Sequence, residues 1–201
     1  LDQILGCGYD KELVYVTLES KVFGIGLESY TAGSAEFALS YATTRGIVPL
    51  MDNGHYHPTE VVSDKISSML LFAPKIALHV TRGVRWDSDH VVRLDDETRE
   101  IAKEIVASGR IDDFDLALDY FDASINRVGA WVVGTRNMQK ALLIALLEPV
   151  AMACAEENAW DFTARMAVME AAKALPWGAV WQYFCEKNEI PQDFDFMKDI
   201  H

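Results

Sequence analysis

The chain has 201 residues, 50% of them hydrophobic and 24% charged, with a net charge of −13. That length supports one domain with a substantial core, and the composition is that of a globular chain rather than a disordered one. The acidic balance argues against a nucleic-acid partner, which needs a basic patch; it fits a solvated acidic surface with a few carboxylates gathered in a site.

No apolar run reaches membrane-spanning length, since residues 141–150 are interrupted by Glu148 and Pro149, so no membrane partner is expected. Cys7, Cys154 and Cys185 are odd in number, widely spaced and form no Cys-x-x-Cys. That usage suits a reducing cytoplasm better than a disulfide framework. The start at Leu1-Asp2-Gln3 lacks the basic and apolar pattern of a secretory leader, and beginning without Met fits a processed product or a piece of a longer chain.

In chain order, residues 13–18 (Leu-Val-Tyr-Val-Thr-Leu) are β-branched and aromatic and predict a strand ending at Glu19. Residues 34–44 predict a helix with Gly46 as its C-cap. Residues 47–51 form a short, continuous apolar run, the pattern of a buried strand, which ends in Asp52. Asn53-Gly54 marks a tight turn, and His55 follows it. After Pro58, Thr59 is placed to cap a helix through Val61, Val62, Ile66, Met69 and Leu70, with Pro74 beyond its end. Residues 75–80 predict a third strand with His79 near its carboxyl end, followed by a polar loop, 81–89, holding Arg82, Arg85, Trp86, Asp87 and Asp89.

Asp95-Asp96-Glu97 is an acidic helix start of the kind the helix dipole favours, and Gly109 stops that helix. Residues 114–118 predict a fourth strand, ending at Asp119, with Asp122 read as the N-cap of the next helix. The remainder is mainly helical, from about 130 to 158 and from 161 to 187, with breaks at Pro149 and Pro176. Alternating β and α segments followed by helices predict an α/β parallel sheet without an internal domain boundary. The division expected is residues 1–128, carrying the site, and a helical extension, 129–201, in the same domain.

Each predicted strand ends in a side chain able to bind metal: Glu19, Asp52 with His55, His79 and Asp119, with Asp87 and Asp89 in the loop after the third. Strand ends converge in a parallel sheet, so residues distant in sequence can share one site. An Asp-x-x-His pair alone discriminates weakly; the coincidence over four strands is more specific. Carboxylates with imidazoles suit Mn²⁺ or Mg²⁺ and tolerate Co²⁺, whereas tight Zn²⁺ sites more often recruit thiolates. Two divalent ions would neutralise the set made by Glu19, Asp52, Asp87, Asp89, Asp119 and Lys21. Without them, so many carboxylates could not all ionise side by side. Plainer readings exist for single residues: His79 as a satisfied histidine, Asp87 and Asp89 as a solvated turn, Trp86 as packing, Arg82 and Arg85 as partners of the neighbouring acids.

Several motifs together resemble the L-rhamnose isomerase family: Glu19-Ser20-Lys21; Asp52-x-Gly54-His55-x-His57-Pro58-Thr59-Glu60; and Trp86-Asp87-Ser88-Asp89-His90. Leu118-Asp119-x-Phe121-Asp122-Ala123-Ser124-Ile125-Asn126-Arg127 and Gly134-Thr135-Arg136-Asn137-Met138 agree with it, and the likeness runs from about 19 to 187. The resemblance implies a (β/α)₈ TIM barrel of the xylose-isomerase-like kind, of which this chain supplies about four βα units, the carboxyl-terminal half. It implies a structural metal held by Glu19, Asp52, His79 and Asp119, and a catalytic metal held by His55, Asp87 and Asp89 with Asp52 shared, both of the Mn²⁺ type. Lys21 matches the lysine at the sugar's carbonyl-end oxygen. The resemblance puts Phe121 at a variable position near substrate; for Trp86 the residue itself gives the alternative to packing, a wall on an apolar side of the pocket.

The implied reaction is aldose–ketose isomerisation of L-rhamnose and L-rhamnulose by a metal-assisted hydride shift. The implied setting is a cytoplasmic homo-oligomer, a tetramer in the family, completed by an amino-terminal half of the barrel. Two rivals are a related isomerase of other sugar specificity and a non-catalytic metal-binding half-barrel. Open sheet edges at the first and fourth strands lead us to expect the isolated chain to associate or to need its missing half, and to lack isomerase activity.

Overall fold

The computed structural model describes residues 1–20, 33–57, 59–83, 89–192 and 194–200. Lys21, Arg85, Trp86 and Asp87 lie outside these described residues. Chain contacts divide the molecule into two compact units, Leu1–Val92 with Arg110–Asp122, and Arg93–Gly109 with Ala123–His201.

The first unit is built on four parallel strands, β1 (Thr17–Glu19), β2 (Val48–Asp52), β3 (Ile76–Val80) and β6 (Phe114–Leu118), in the order β1-β2-β3-β6. Three of the strands begin and end within a residue of the positions their apolar runs predict. β1 is the exception. Its ladder with β2 begins only where Val48 donates to the Val16 carbonyl at 3.2 Å, so Leu13, Val14 and Tyr15 pair with no strand among the described residues and are more than half exposed. β-propensity marks residues that can form a strand, and the partner decides where it starts.

Met51, Ile76, Leu78 and Val80 are almost fully buried, each contributing about 2 kcal/mol of transfer free energy. Leu50, Asp52, Ala77 and His79 alternate with them and point to the opposite face of the sheet. Helix α1 is a single turn, Asp2–Leu5. Helix α2 (Ala35–Arg45) packs on β1 and β2, with the Ser34 hydroxyl accepting from the Phe37 N–H and Gly46 closing it at φ 66°, a conformation that favours glycine. Helix α3 (Ser63–Met69) starts after Val62 without a side-chain cap, so Thr59 is not its N-cap. The Thr59 hydroxyl instead bonds His57 Nδ1 at 2.7 Å. The segment read as a polar loop after β3 contains two short antiparallel strands, β4 (Arg82–Gly83) and β5 (Asp89–His90).

The second unit contains α4 (Asp96–Ala107), α5 (Arg127–Leu147), α6 (Val150–Asn158), α7 (Phe162–Ala172) and α8 (Trp177–Lys187). Asp95 caps α4 by accepting from the Thr98 N–H, and Pro149 and Pro176 stand at the N-caps of α6 and α8. Helix α5 is capped by Asn126, whose side chain accepts from the Gly129 N–H, and not by Asp122. Either residue type suits that role; the three residues between them are not helical. α5 packs on α4 and α8, and α6 on α7. Arg136, buried on α5, donates to the Pro191 carbonyl at 2.9 Å with its guanidinium over the Trp181 and Phe196 rings, tying the final segment to the helices. No single helix among the described residues is long and apolar enough to cross a membrane.

Candidate metal centre

The carboxyl ends of all four long strands deliver one metal-competent side chain each to the same point. Ligand atoms of Glu19, Asp52, His79 and Asp119 all lie within 4.8 Å of one another. His79 Nδ1 is 2.9 Å from Glu19 Oε1, 3.3 Å from Asp119 Oδ2 and 3.8 Å from Asp52 Oδ2. The register produces this meeting. Asp52 and His79 are directly paired, Glu19 ends β1, and Asp119, the residue after β6, has its N–H bonded to the Val80 carbonyl at 3.2 Å.

Asp52 is the buried member of the group, with none of its side chain exposed. Its Oδ1 accepts from the Gly54 N–H at 2.7 Å, starting the short 3₁₀ turn Asn53–His55. Its Oδ2 is buried and has no hydrogen-bond partner among the described residues. Burial pushes the Asp52 carboxyl up to about 6, against the pull of His55 and of the Gly54 N–H, and the Glu19 charge adds to the rise. His79 is shifted upward, first by its hydrogen bond to Glu19. A buried carboxylate oxygen beside two further carboxylates and an imidazole is an environment that a divalent cation relieves, so the residues present fit a metal of the oxygen- and nitrogen-binding class.

The 3₁₀ turn places His55 beside this group. His55 is buried, and its Nδ1 stands 3.0 Å from the Ser20 carbonyl, which can only accept. The proton is therefore on Nδ1, and in the neutral ring Nε2, 4.0 Å from Asp52 Oδ2, is the nitrogen that bears a lone pair. Asn53 pins the turn by a two-way amide bond to the Thr81 backbone, at 2.8 and 2.7 Å. Gly54 leaves no room for a side chain: a Cβ there would stand 2.8 Å from Thr81 Cγ2, 3.1 Å from Asp52 Oδ1 and 4.0 Å from Asp89 Oδ1. Asp89, on β5, thus reaches the same turn as Asp52 and His55, although it is not among the four converging ligands.

Phe121 is 61% exposed, and its N–H bonds the Asp89 carbonyl at 3.2 Å. The expectations for Lys21, Trp86 and Asp87 fall outside the described residues. Asn53, Thr81 and Ser20 are the supporting residues that sequence reasoning missed. The Asn53-Gly54 turn and the Glu19-Ser20-Lys21 motif pointed toward Asn53 and Ser20, and nothing in the sequence marked Thr81. A separate cavity of 380 Å³ beside Asp2, Tyr9, Arg45 and Val48 lies at the other end of β1 and β2 and holds none of these groups.

The L-rhamnose isomerase (RhaA) family model matches residues 1–201. Curated relatives named L-rhamnose isomerase include one from Escherichia coli O127:H6 (strain E2348/69 / EPEC), 56% identical over 183 residues, which are 91% of this chain and 44% of that protein. Others come from Klebsiella pneumoniae (strain 342) and Shigella sonnei (strain Ss046), each 52% identical over 200 residues, 100% of this chain and 48% of the relative. The chain spans a little under half the length of these relatives. Identity above half, sustained over the segment that carries the converging ligands, establishes that the chain belongs to the L-rhamnose isomerase family.

Proposed function

We propose that this chain is the metal-bearing, carboxyl-terminal half of an L-rhamnose isomerase, an enzyme that interconverts L-rhamnose and L-rhamnulose. The observation that carries the reading is the convergence of Glu19, Asp52, His79 and Asp119 within 4.8 Å in a chain of this family. In this proposal the four side chains hold a structural divalent ion. His55, Asp87 and Asp89 hold a second one, with Asp52 between the two. Mn²⁺ is the favoured ion, and Mg²⁺ or Co²⁺ are substitutes of the same ligand preference. When bound, the ions supply Lewis acidity toward the sugar's oxygens.

The reaction redistributes hydrogen between C1 and C2 of the open-chain sugar, a hydride between the carbons and a proton between O1 and O2, so no nicotinamide is needed. Lys21 donates to the charge that develops on O1. The His55 Nδ1–H bond to the Ser20 carbonyl keeps Nε2 as the coordinating nitrogen. Trp86 walls the apolar side of the pocket, and Phe121 tunes which sugar fits.

The sheet supports a (β/α)₈ barrel completed by four further strands, because β1 and β6 are both edges. Residues 129–201 then form a helical extension of the same domain. The working enzyme is a cytoplasmic homo-oligomer, a tetramer.

Activity decides between this reading and a metal-binding half without catalysis. The chain alone, with Mn²⁺, is expected to turn over no L-rhamnose. Co-expression with the amino-terminal part of the Klebsiella relative, the part this chain does not cover, is expected to produce L-rhamnulose. Failure of the complemented, metal-loaded pair on L-rhamnose would contradict the proposal, and turnover of a different sugar in its place would assign the related-isomerase alternative.

A further inference from the structure

The sheet face that carries the ligands has a second polar cluster at its opposite end. Asp115 Oδ1 lies 2.8 Å from Lys75 Nζ, its Oδ2 accepts from the Tyr15 hydroxyl, and Lys75 Nζ stands 5.1 Å from the centre of the Tyr15 ring. Tyr15 lies four residues before Glu19, Lys75 four before His79 and Asp115 four before Asp119. Asp115 lies on β6, Lys75 stands one residue before β3 and Tyr15 two residues before β1, so each member leads into a strand whose carboxyl end delivers one of these ligands. Between them on that face stand Thr17, Ala77 and Ala117, all small.

The cluster joins the two edges of the sheet. β1 and β6 are three strand spacings apart, about 14 Å if the sheet were flat. Tyrosine and aspartate side chains fall short of that width, and with Tyr15 only two residues ahead of β1 their contact fits a sheet curled about this face. The same curl brings Glu19 and Asp119, on the same two edges, to within 4.8 Å at the other end.

We propose that Tyr15, Lys75 and Asp115 are positioning residues, a clasp across β1, β3 and β6 that sets the curvature at which Glu19, His79 and Asp119 converge on a divalent ion. The inference rests on the metal-site reading above. None of the three reaches the ion; they act through the spacing of the strands.

The test measures Mn²⁺ affinity by titration of the full polypeptide, together with circular dichroism and melting. Asp115→Ala is expected to fold and to bind Mn²⁺ about tenfold or more weaker, the size found when groups supporting metal ligands are removed. Asp115→Glu is expected to recover most of that loss. Tyr15→Phe, which removes one hydroxyl, keeps the inference testable if Asp115→Ala fails to fold, and is expected to weaken binding severalfold. A role confined to stability would lower the melting temperature and leave the affinity of the folded variants unchanged, and that result overturns the clasp. Wild-type protein that binds no Mn²⁺ would instead overturn the metal-site reading on which the clasp rests.

Discussion

At the amino end of the sheet face Asp115 has both oxygens engaged, one by Lys75 and one by Tyr15, whereas at the carboxyl end Asp52 Oδ2 is buried without a hydrogen-bond partner among the described residues. The sheet is the same and the face is the same, but the residues differ and only the carboxyl end draws on β2, through Asp52. Burial pushes the Asp115 carboxyl up, but the hydrogen bonds from Lys75 and Tyr15 outweigh it, and the group titrates below its ordinary value. Lys75 and Tyr15 shift upward, first through their bonds to Asp115. All three therefore hold one protonation state through the neutral range. At the other end Asp52 and His79 are both moved toward neutrality of pH, Asp52 by burial and His79 by Glu19. A cluster whose charges are matched by side chains holds strands together, and a cluster left short of positive charge invites a cation.

The largest effect that sharpens this contrast is expected from Asp52→Asn. Removing the carboxylate that we propose is shared between the ions should weaken Mn²⁺ binding by more than about 100-fold, beyond the loss expected from a supporting group. The metal-free variant should melt no lower than wild type, because a buried carboxylate with an unsatisfied oxygen is replaced by a neutral amide. Titration and melting of the one variant check both halves. A marked drop in metal-free stability would mean that Asp52 is satisfied in the fold and that the contrast between the two ends is wrong.

A smaller effect is expected from pH. The folded-state pKa of Asp52, about 6, lies above the ordinary 3.8, so the metal-free fold holds a proton there that the unfolded chain has lost. Stability of the metal-free chain should therefore fall as pH rises from about 4 to about 6. His79 acts in the same sense: its contribution is complete below 6.5 and is lost as pH rises through its raised folded value. Metal binding needs both protons gone. Affinity should rise about tenfold between pH 5 and 7 from Asp52 alone, with His79 adding to it. Mn²⁺ titrations across that range check the sign, and a flat profile would show that neither group titrates in the site.

Much of the site was legible in the sequence because chemistry-bearing residues fall just past apolar runs. β2, β3 and β6 could be read from those runs to within a residue, and parallel pairing then forces Asp52, His79 and Asp119 together. Glu19 ends β1, although that strand begins at Thr17, later than residues 13–18 predict. Residues 13–15 have the composition of a strand but pair with no strand among the described residues, and a single sequence does not show where a partner begins. Asp122 and Asn126 are equally good caps on paper, and only the path of the chain between them chooses Asn126.

The clasp was not legible. Tyr15 and Asp115 are 100 residues apart and belong to opposite edges, so their contact exists only once the curvature of the sheet is known. The spacing of four residues before each ligand was the available signal, and without a register it has no meaning.

The most direct test of the account is to locate the ions. Crystals of the full polypeptide grown with Mn²⁺, measured at the manganese absorption edge, should show one anomalous peak among Glu19, Asp52, His79 and Asp119, and a second beside Asp52, His55 and Asp89. Peaks elsewhere, or no peak at the four strand ends in protein that carries Mn²⁺, would contradict the claim that this cluster is a metal centre.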